Sequence, residues 1–482
     1  MRRLLVRKII TPQVCTIATQ AFVNNIGEVE EALQTAINQR PELIRHGRRL
    51  FETEVLEDLP SAYSWEVARK ICQMATQLRI SPVKSPLYSK VVEMSMDATA
   101  VSSTDLYALA RVIHSCLVLC SPLLYEVLFT FIPLLIKQAS IMNALSIAIV
   151  INAYGRAEVH HPALFQALCD SAANTLKSPQ IQLPHIANVA HALSRVHFFH
   201  RPLMLVLRDQ ASRMGKDAQP LVMVTLLDAF VELGFIDEEV FSAYESRLLD
   251  NLKDIQPPLI ASLLDCLATA GRATPKLLET VEKYIIEQSN AFNSVSISMT
   301  FHALFKANVL LEEAFGVLAE RACKLPADFR PEEIYHTLNA LSSFDLFDGE
   351  LFPLLASRFM TLMKQGDYVG VEEAAGILAS FAAVQERHDE LIHGCTQLFV
   401  AHLGSAMRPS ALVNALWACA IFNIRNEAQM KLLEEARKNP RLLDLQFAPK
   451  GKLCERENII LKERYDHVLR VYGIDSSEHI VS

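Results

Sequence analysis

Seven polar residues recur at one fixed place along this chain: His114, Asn152, His191, Asp228, Asp265, His302 and Asn339, each standing immediately before a small residue. Three residues before or four after most of these places, on the same face of a helix, polar residues recur: Arg111, Asn188, Thr225, Ser262 and His336, with Asn414 before Trp417, on one side. Arg156, Arg195, Glu232, Thr269, Lys306 and Ser343 stand on the other. Side chains of these types hydrogen-bond exposed base edges, and repeat proteins that read one base per unit use two or three of them per repeat. Stacked helices would offer one such group about every 10 Å, the packing distance between helices. A structural ladder, bonded only to neighbouring helices, would use the same side chains and bind nothing. Ala379 and Trp417 end the series.

No other constellation carries chemistry. The sequence holds no glycine-rich phosphate loop, no G-x-S-x-G, no H-E-x-x-H and no zinc spacing. His160, His161, His197 and His200 fall at helix junctions, where a loop or capping role suffices. Glu238 and Glu239 fall in the first turn of a helix, where they complement its dipole. The expectation is therefore a protein that is not an enzyme, with no cofactor and no metal.

The ladder needs helices of constant length and spacing, and the sequence supplies them. A helical phrase returns as ANVAHALSRV, VTLLDAFVEL, ASLLDCLATA, SMTFHALFKA and YHTLNALSSF, with the small residue at Ala192, Ala229, Cys266, Ala303 and Ala340, always 37 apart. Extended outward, the small place falls at Ala36, Ala75, Ser115 and Ala153, and then at Ser380 and Ala418, at intervals of 38 to 40. Such a period marks a solenoid. Between successive phrases lies a second apolar-periodic run, such as those opened by Asp237 and Asp348, whose carboxylates are placed to cap a helix. Pro220, Pro257, Pro331 and Pro409 stand at the start of the first helix of a pair, where a missing N–H costs nothing. The prediction is an all-α, right-handed α-solenoid of about eleven two-helix repeats of 37–40 residues. The small residue admits a close helix approach that Leu would block.

Composition agrees: 51% hydrophobic, 7% aromatic and only 15 Gly in 482 residues suit a large buried helical core. The net charge of -8 excludes a uniformly basic nucleic-acid binder and leaves room for a local basic groove. Ten scattered cysteines without C-x-x-C pairs read as reduced, mostly buried thiols. Residues 1–26 carry Arg2, Arg3, Arg7 and Lys8 beside Leu4, Leu5, Ile9 and Ile10 and no acid, as an amphipathic mitochondrial presequence or a basic N-terminal helix would. The apolar stretch from Leu117 to Ile136 holds Pro122, Glu126 and Pro133 and reads as a buried solenoid helix, not a membrane span. Residues 27–437 form the repeat domain. Residues 438–482 follow as a connector, a helix that caps the array and a tail, the connector being basic through Arg437, Lys438, Arg441, Lys450 and Lys452.

Phrases such as LLDAFVELGFIDEEVFSAY, FHALFKANVLLEEAFGVLAERA and LVNALWACAIFNIRNEAQMKLL resemble the heptatricopeptide and octotricopeptide repeat proteins and are similar to the helical repeats of FAST-kinase-like mitochondrial RNA proteins. The resemblance spans residues 27–437. It implies a mitochondrial-matrix, non-catalytic binder of organellar RNA, a component of the mitochondrial ribosome or a factor stabilising ribosomal RNA fragments, with ribosomal or other complex proteins as partners. The RAP domain that ends many relatives has no counterpart after Arg437. Two other readings stand beside it: a scaffold gripping extended peptides, and a structural subunit of another mitochondrial complex.

Overall fold

The computed structural model describes residues 63–98, 101–215, 218–366, 369–402, 408–438 and 455–473. These are all-α, with no strand among them. The helices alternate between two roles. The first of each pair are α1 (Trp65–Leu78), α3 (Leu106–Val118), α5 (Ala144–Arg156), α7 (Leu183–Arg195), α9 (Pro220–Glu232), α11 (Pro257–Thr269), α13 (Ser294–Ala307), α15 (Pro331–Ser343), α17 (Val371–Ala383) and α19 (Pro409–Ile421). Their partners are α2 (Pro86–Asp97), α4 (Leu124–Gln138), α6 (Pro162–Thr175), α8 (Arg201–Met214), α10 (Glu238–Asp250), α12 (Pro275–Gln288), α14 (Glu312–Cys323), α16 (Leu351–Gln365), α18 (Asp389–His402) and α20 (Glu427–Lys438), and α21 (Glu455–Tyr472) closes the chain. Ten of the expected repeats are described. The one centred on Ala36, the presequence and the connector residues Arg441, Lys450 and Lys452 lie outside the described residues, as do the side chains of Arg437 and Lys438.

The protein divides into two compact units, residues 1–244 and 245–482. Within the first, α1, α3, α5, α7 and α9 pack in sequence, each on the next; within the second, α11 to α19 do the same, and the second helices of the pairs form a parallel row in each. This is an α-solenoid of repeats. The small place is the seam of the inner row. Ala75, Ser115, Ala153, Ala192, Ala229, Cys266, Ala303, Ala340, Ser380 and Ala418 are all buried, none more than 1% exposed. Gly155 shows how close the helices come there, since a Cβ on it would lie 2.4 Å from the Ala192 Cβ of α7. The row is therefore packed backbone to backbone, and larger side chains fill the space towards the second helices: Phe165, Phe230, Phe301 and Phe315 are among the fully buried ones.

Each helix end repeats as well. Five residues after the small place stands a residue in the left-handed region: Cys120, Glu158, His197, Gly234, Gly271, Asn308, Asp345, Gln385 and Asn423, with Arg79 one place earlier in the first pair. Only Gly and Asn adopt that conformation readily, so most of these stops were invisible in the sequence. They are held by a bond from the following N–H to the carbonyl five residues back, as from Phe235 N to Phe230 O at 2.8 Å and from Ile424 N to Cys419 O at 2.9 Å. Two of the four junction histidines are caps: His161 Nδ1 accepts from Leu164 N at 3.1 Å and His200 Nδ1 from Leu203 N at 3.3 Å. Asp237 and Asp348 cap as their sequence positions suggest. In the second unit Arg321 and Arg358, 37 residues apart, each donate from Nε to a loop carbonyl, those of Phe292 and Phe329, at 3.1 Å.

The apolar stretch read as a buried solenoid helix is a helix of the array, buried along one side. In α4 Val127, Leu128, Phe131, Ile132 and Leu135 face the core, while Tyr125 and Phe129 are 55% and 59% exposed. By length and composition Leu124–Ile141 is apolar enough to cross a membrane, but its buried stripe is that of a helix packed on one side.

If the seam sets the helix spacing, Gly155→Ala forces α5 and α7 apart. We expect a loss of about 1–3 kcal/mol, the usual range for overpacking a close contact, seen as a lower midpoint in thermal or urea unfolding. An unchanged midpoint would show that the seam is not close-packed.

Candidate nucleic-acid interface

The place before the small residue is turned about 100° around the helix from the seam, so its side chain emerges at the edge of the contact between neighbouring inner helices. His114, His191, Asp228, Asp265 and His302 are accordingly half-buried, and Asn152 and Asn339, with Asn414 on the same face of its helix, are only 7–8% exposed. A polar group at such an edge is partly stripped of water and must find a partner in the protein or in a ligand.

In the first unit much of the ladder lacks partners. On α3, Tyr107, Arg111 and His114 share one face; on α5, Leu145, Ile149 and Asn152 do, and Arg156 follows one turn on. With Ala148, and with His185 and Asn188 of α7, the first six line a recess of about 290 Å³. Arg111 Nε, His114 Nδ1, Asn152 Oδ1 and, one repeat further, His191 Nδ1 are buried and make no hydrogen bond among the described residues. Leaving such an atom unsatisfied costs about 1–3 kcal/mol, so these groups are held there at the expense of stability. Burial pushes the His114 imidazole down to about 4, with the Arg111 and Arg156 guanidinium groups adding to it. His191 is lowered by burial and then by Arg195 and Arg156. The histidines are thus neutral at pH 7, and the charge of this face is carried by the arginines. Arg111 and Arg156 form no ion pair among the described residues. Arg195 meets Glu158 of the preceding repeat in an exposed pair, worth at most about 1 kcal/mol. The far end of this unit's row is acidic instead, with half-buried Asp228 and exposed Glu232 on α9.

In the second unit several of the same places make contacts within the protein, although the Nδ1 atoms of His302 and His336 are also buried without a hydrogen bond among the described residues. Lys306 Nζ lies 2.8 Å from Asp265 Oδ1 and 2.9 Å from Oδ2. His302 and His336 pack against each other with ring centroids 4.2 Å apart and planes tilted by 49°. Burial first, then His336 and Lys306, hold His302 at about 3. Asn339 is buried, and its backbone carbonyl accepts from Ser343 Oγ at 2.6 Å. The terminal helix α21, expected from the sequence to cap the end of the array, packs on α19 and also reaches back along the inner face to α13. Arg464 donates to Asn414 Oδ1 at 2.7 Å and its guanidinium lies 4.6 Å from the Trp417 ring centroid. Arg456 donates to the Ser343 carbonyl and covers the Phe344 ring at 4.0 Å. Arg464 is 7% exposed, and burial lowers its guanidinium to about 10. Sequence reading could not foresee this strap, because nothing in the α21 sequence marks which face it covers.

No group of three or more His, Cys, Asp or Glu that could hold a metal occurs among the described residues. Six of the described cysteines are buried free thiols, among them Cys72, Cys395 and Cys419, and burial raises all three.

The sequence model of the family described as RNA-editing substrate-binding complex 6 protein matches residues 87–427, more than two thirds of the chain. The chain belongs to this family. The matched span holds the recess and every ladder position from Arg111 to Asn414, and it ends before α21. Family and fold together make this an RNA-associated helical-repeat protein. No curated protein matches the chain.

The buried histidines bear on stability with a definite sign. His114 and His302 have folded values of about 4 and 3 against an ordinary 6.5, so the unfolded chain binds more protons between those limits. Their contribution is complete above pH 6.5 and is lost as pH falls towards 4. We expect His302→Gln to flatten the fall in unfolding midpoint between pH 6.5 and 4 by an amount on the order of 2 kcal/mol. A variant with the same pH dependence as the parent would show that His302 is not held neutral.

Proposed function

We propose that this protein is a non-catalytic, RNA-binding component of a mitochondrial RNA-editing substrate-binding complex, and that it grips single-stranded RNA along the inner helices of the first unit. The observation that carries the reading is the pair of unpaired guanidinium groups, Arg111 and Arg156, beside buried polar atoms without partners on α3 and α5. A polyanion with hydrogen-bonding bases satisfies both at once. A scaffold for a basic peptide would want carboxylates at these places, and among the described ladder positions of the first unit they stand only at Asp228 and Glu232 on α9. The family description favours an editing complex over the ribosome that the repeat resemblance suggested. The chain's charge of -8 is consistent with a protein that works inside such an assembly and meets RNA over a limited basic area.

The test is salt-dependent binding of the full chain to a labelled single-stranded RNA, followed by anisotropy. The triple change Arg111→Ala, Arg156→Ala and Arg195→Ala should weaken binding at least about tenfold and lower the slope of log K against log salt by about two, at about 0.7 per phosphate contact on a single strand. Lys306→Ala, in the second unit, should leave the slope within error. An unaltered affinity and slope in the triple variant would remove this surface as the RNA site.

A further inference from the structure

We propose that the recess between α3, α5 and α7 is a nucleobase subsite, accepting one unpaired base of an RNA strand whose phosphates run past Arg111, Arg156 and Arg195. The inference rests on the RNA reading above and adds what it leaves open, the part of the RNA that is recognised. Its size is the first argument. At about 290 Å³ it falls just below the roughly 300–1,000 Å³ of pockets that hold drug-sized molecules, and so suits a single planar heterocycle.

The chemistry of the lining is the second. Leu145, Ala148 and Ile149 give an apolar floor, and Tyr107 offers a ring on which a base can stack. Around them stand an unpaired donor, Arg111 Nε, an unpaired acceptor, Asn152 Oδ1, and His114 Nδ1, which is either according to its tautomer. Asn152 is the decisive member, because it is 8% exposed and its Oδ1 still has no partner among the described residues. A buried acceptor beside open space is a place where a ligand hydrogen bond is missing. Every base presents a donor and an acceptor side by side on its Watson–Crick edge, so the recess would admit any of them. It excludes a base whose edge is already paired. With His114 neutral, the charge that the lining presents is the Arg111 guanidinium. At the equivalent places in the second unit the side chains lie against one another or against α21: His302 packs against His336, their Nδ1 atoms being unbonded as well, and Asn414 is bonded by Arg464.

The experiment compares three labelled probes on the full chain by anisotropy: a single-stranded RNA, an oligomer of equal length and charge with abasic sites, and a duplex of the same sequence. The parent should bind the intact strand about tenfold or more tightly than the abasic one, the range expected of one stacked and hydrogen-bonded base, and should prefer it to the duplex. Asn152→Leu is similar in size and removes the orphaned acceptor, so it should fold at least as stably while bringing the intact-to-abasic ratio close to one. Tyr107→Ala, made independently, should lower the same ratio. If the parent binds intact and abasic strands equally with an affinity that depends on the three arginines, the subsite is overturned and the RNA reading stands. If none of the probes is bound, the RNA reading fails. A full ratio in an Asn152→Leu variant that melts like the parent also overturns the subsite. Adenosine and uridine monophosphates are added as competitors. Displacement of the strand at concentrations comparable to its own would assign the recess to free nucleotides and overturn the strand assignment.

Discussion

Everything in this molecule depends on how closely the inner helices approach one another. A Leu/Ala-rich solenoid has little to hold neighbouring repeats in register except the fit of backbone against backbone, and here that fit is made by one small residue per repeat. At Gly155 and Ala192 the surfaces are so near that a single added methyl would have no room. Because the contact repeats every 37 to 40 residues, it fixes the spacing of the row within each unit. It also decides where the preceding residue goes, half out of the seam and half in it.

That position explains why a polar ladder is both costly and useful. Fully exposed, these side chains would be solvated and unremarkable; fully buried, they would be apolar. At the rim they lose water without being guaranteed a partner. The two units meet this in different ways. The second pairs Asp265 with Lys306, sets His302 against His336 with both Nδ1 atoms still unbonded, and lays α21 across Asn414 and Ser343. The buried charge of Arg464 is tolerable there because a carboxamide oxygen and the Trp417 face replace its water. The first leaves Arg111, His114, Asn152 and His191 with orphaned atoms around or beside an open recess. Unspent polar atoms beside an open recess are the ground on which the RNA site is proposed in the first unit.

The helical stops show the same economy of means. Nearly every inner helix ends in a left-handed residue at one place, yet it is Cys120, Glu158, His197, Asp345 or Gln385 as often as Gly or Asn. The conformation is imposed by the turn into the second helix and its two backbone bonds, and the residue type merely tolerates it. Local propensity is overruled by the repeat geometry.

The sequence alone determined the class of fold, the helix pairs, the small seam and the register of the ladder, since each is a periodicity and periodicity survives without coordinates. It also placed the caps at Asp237 and Asp348. Family membership came from the sequence as well, while the resemblance to other organellar repeat proteins led only to the coarser conclusion of an RNA-associated helical repeat. What the tertiary structure alone decided is which ladder residues are left free. Asn152 and Asn414 occupy the same face of an inner helix and are equally buried, but one opens on a recess and the other is bonded by Arg464, 50 residues further along the chain. Partnership of that kind depends on where a distant helix comes to rest. No local pattern of residues encodes it, because α21 is amphipathic like any other helix and its docking site is set by the sum of many long-range contacts.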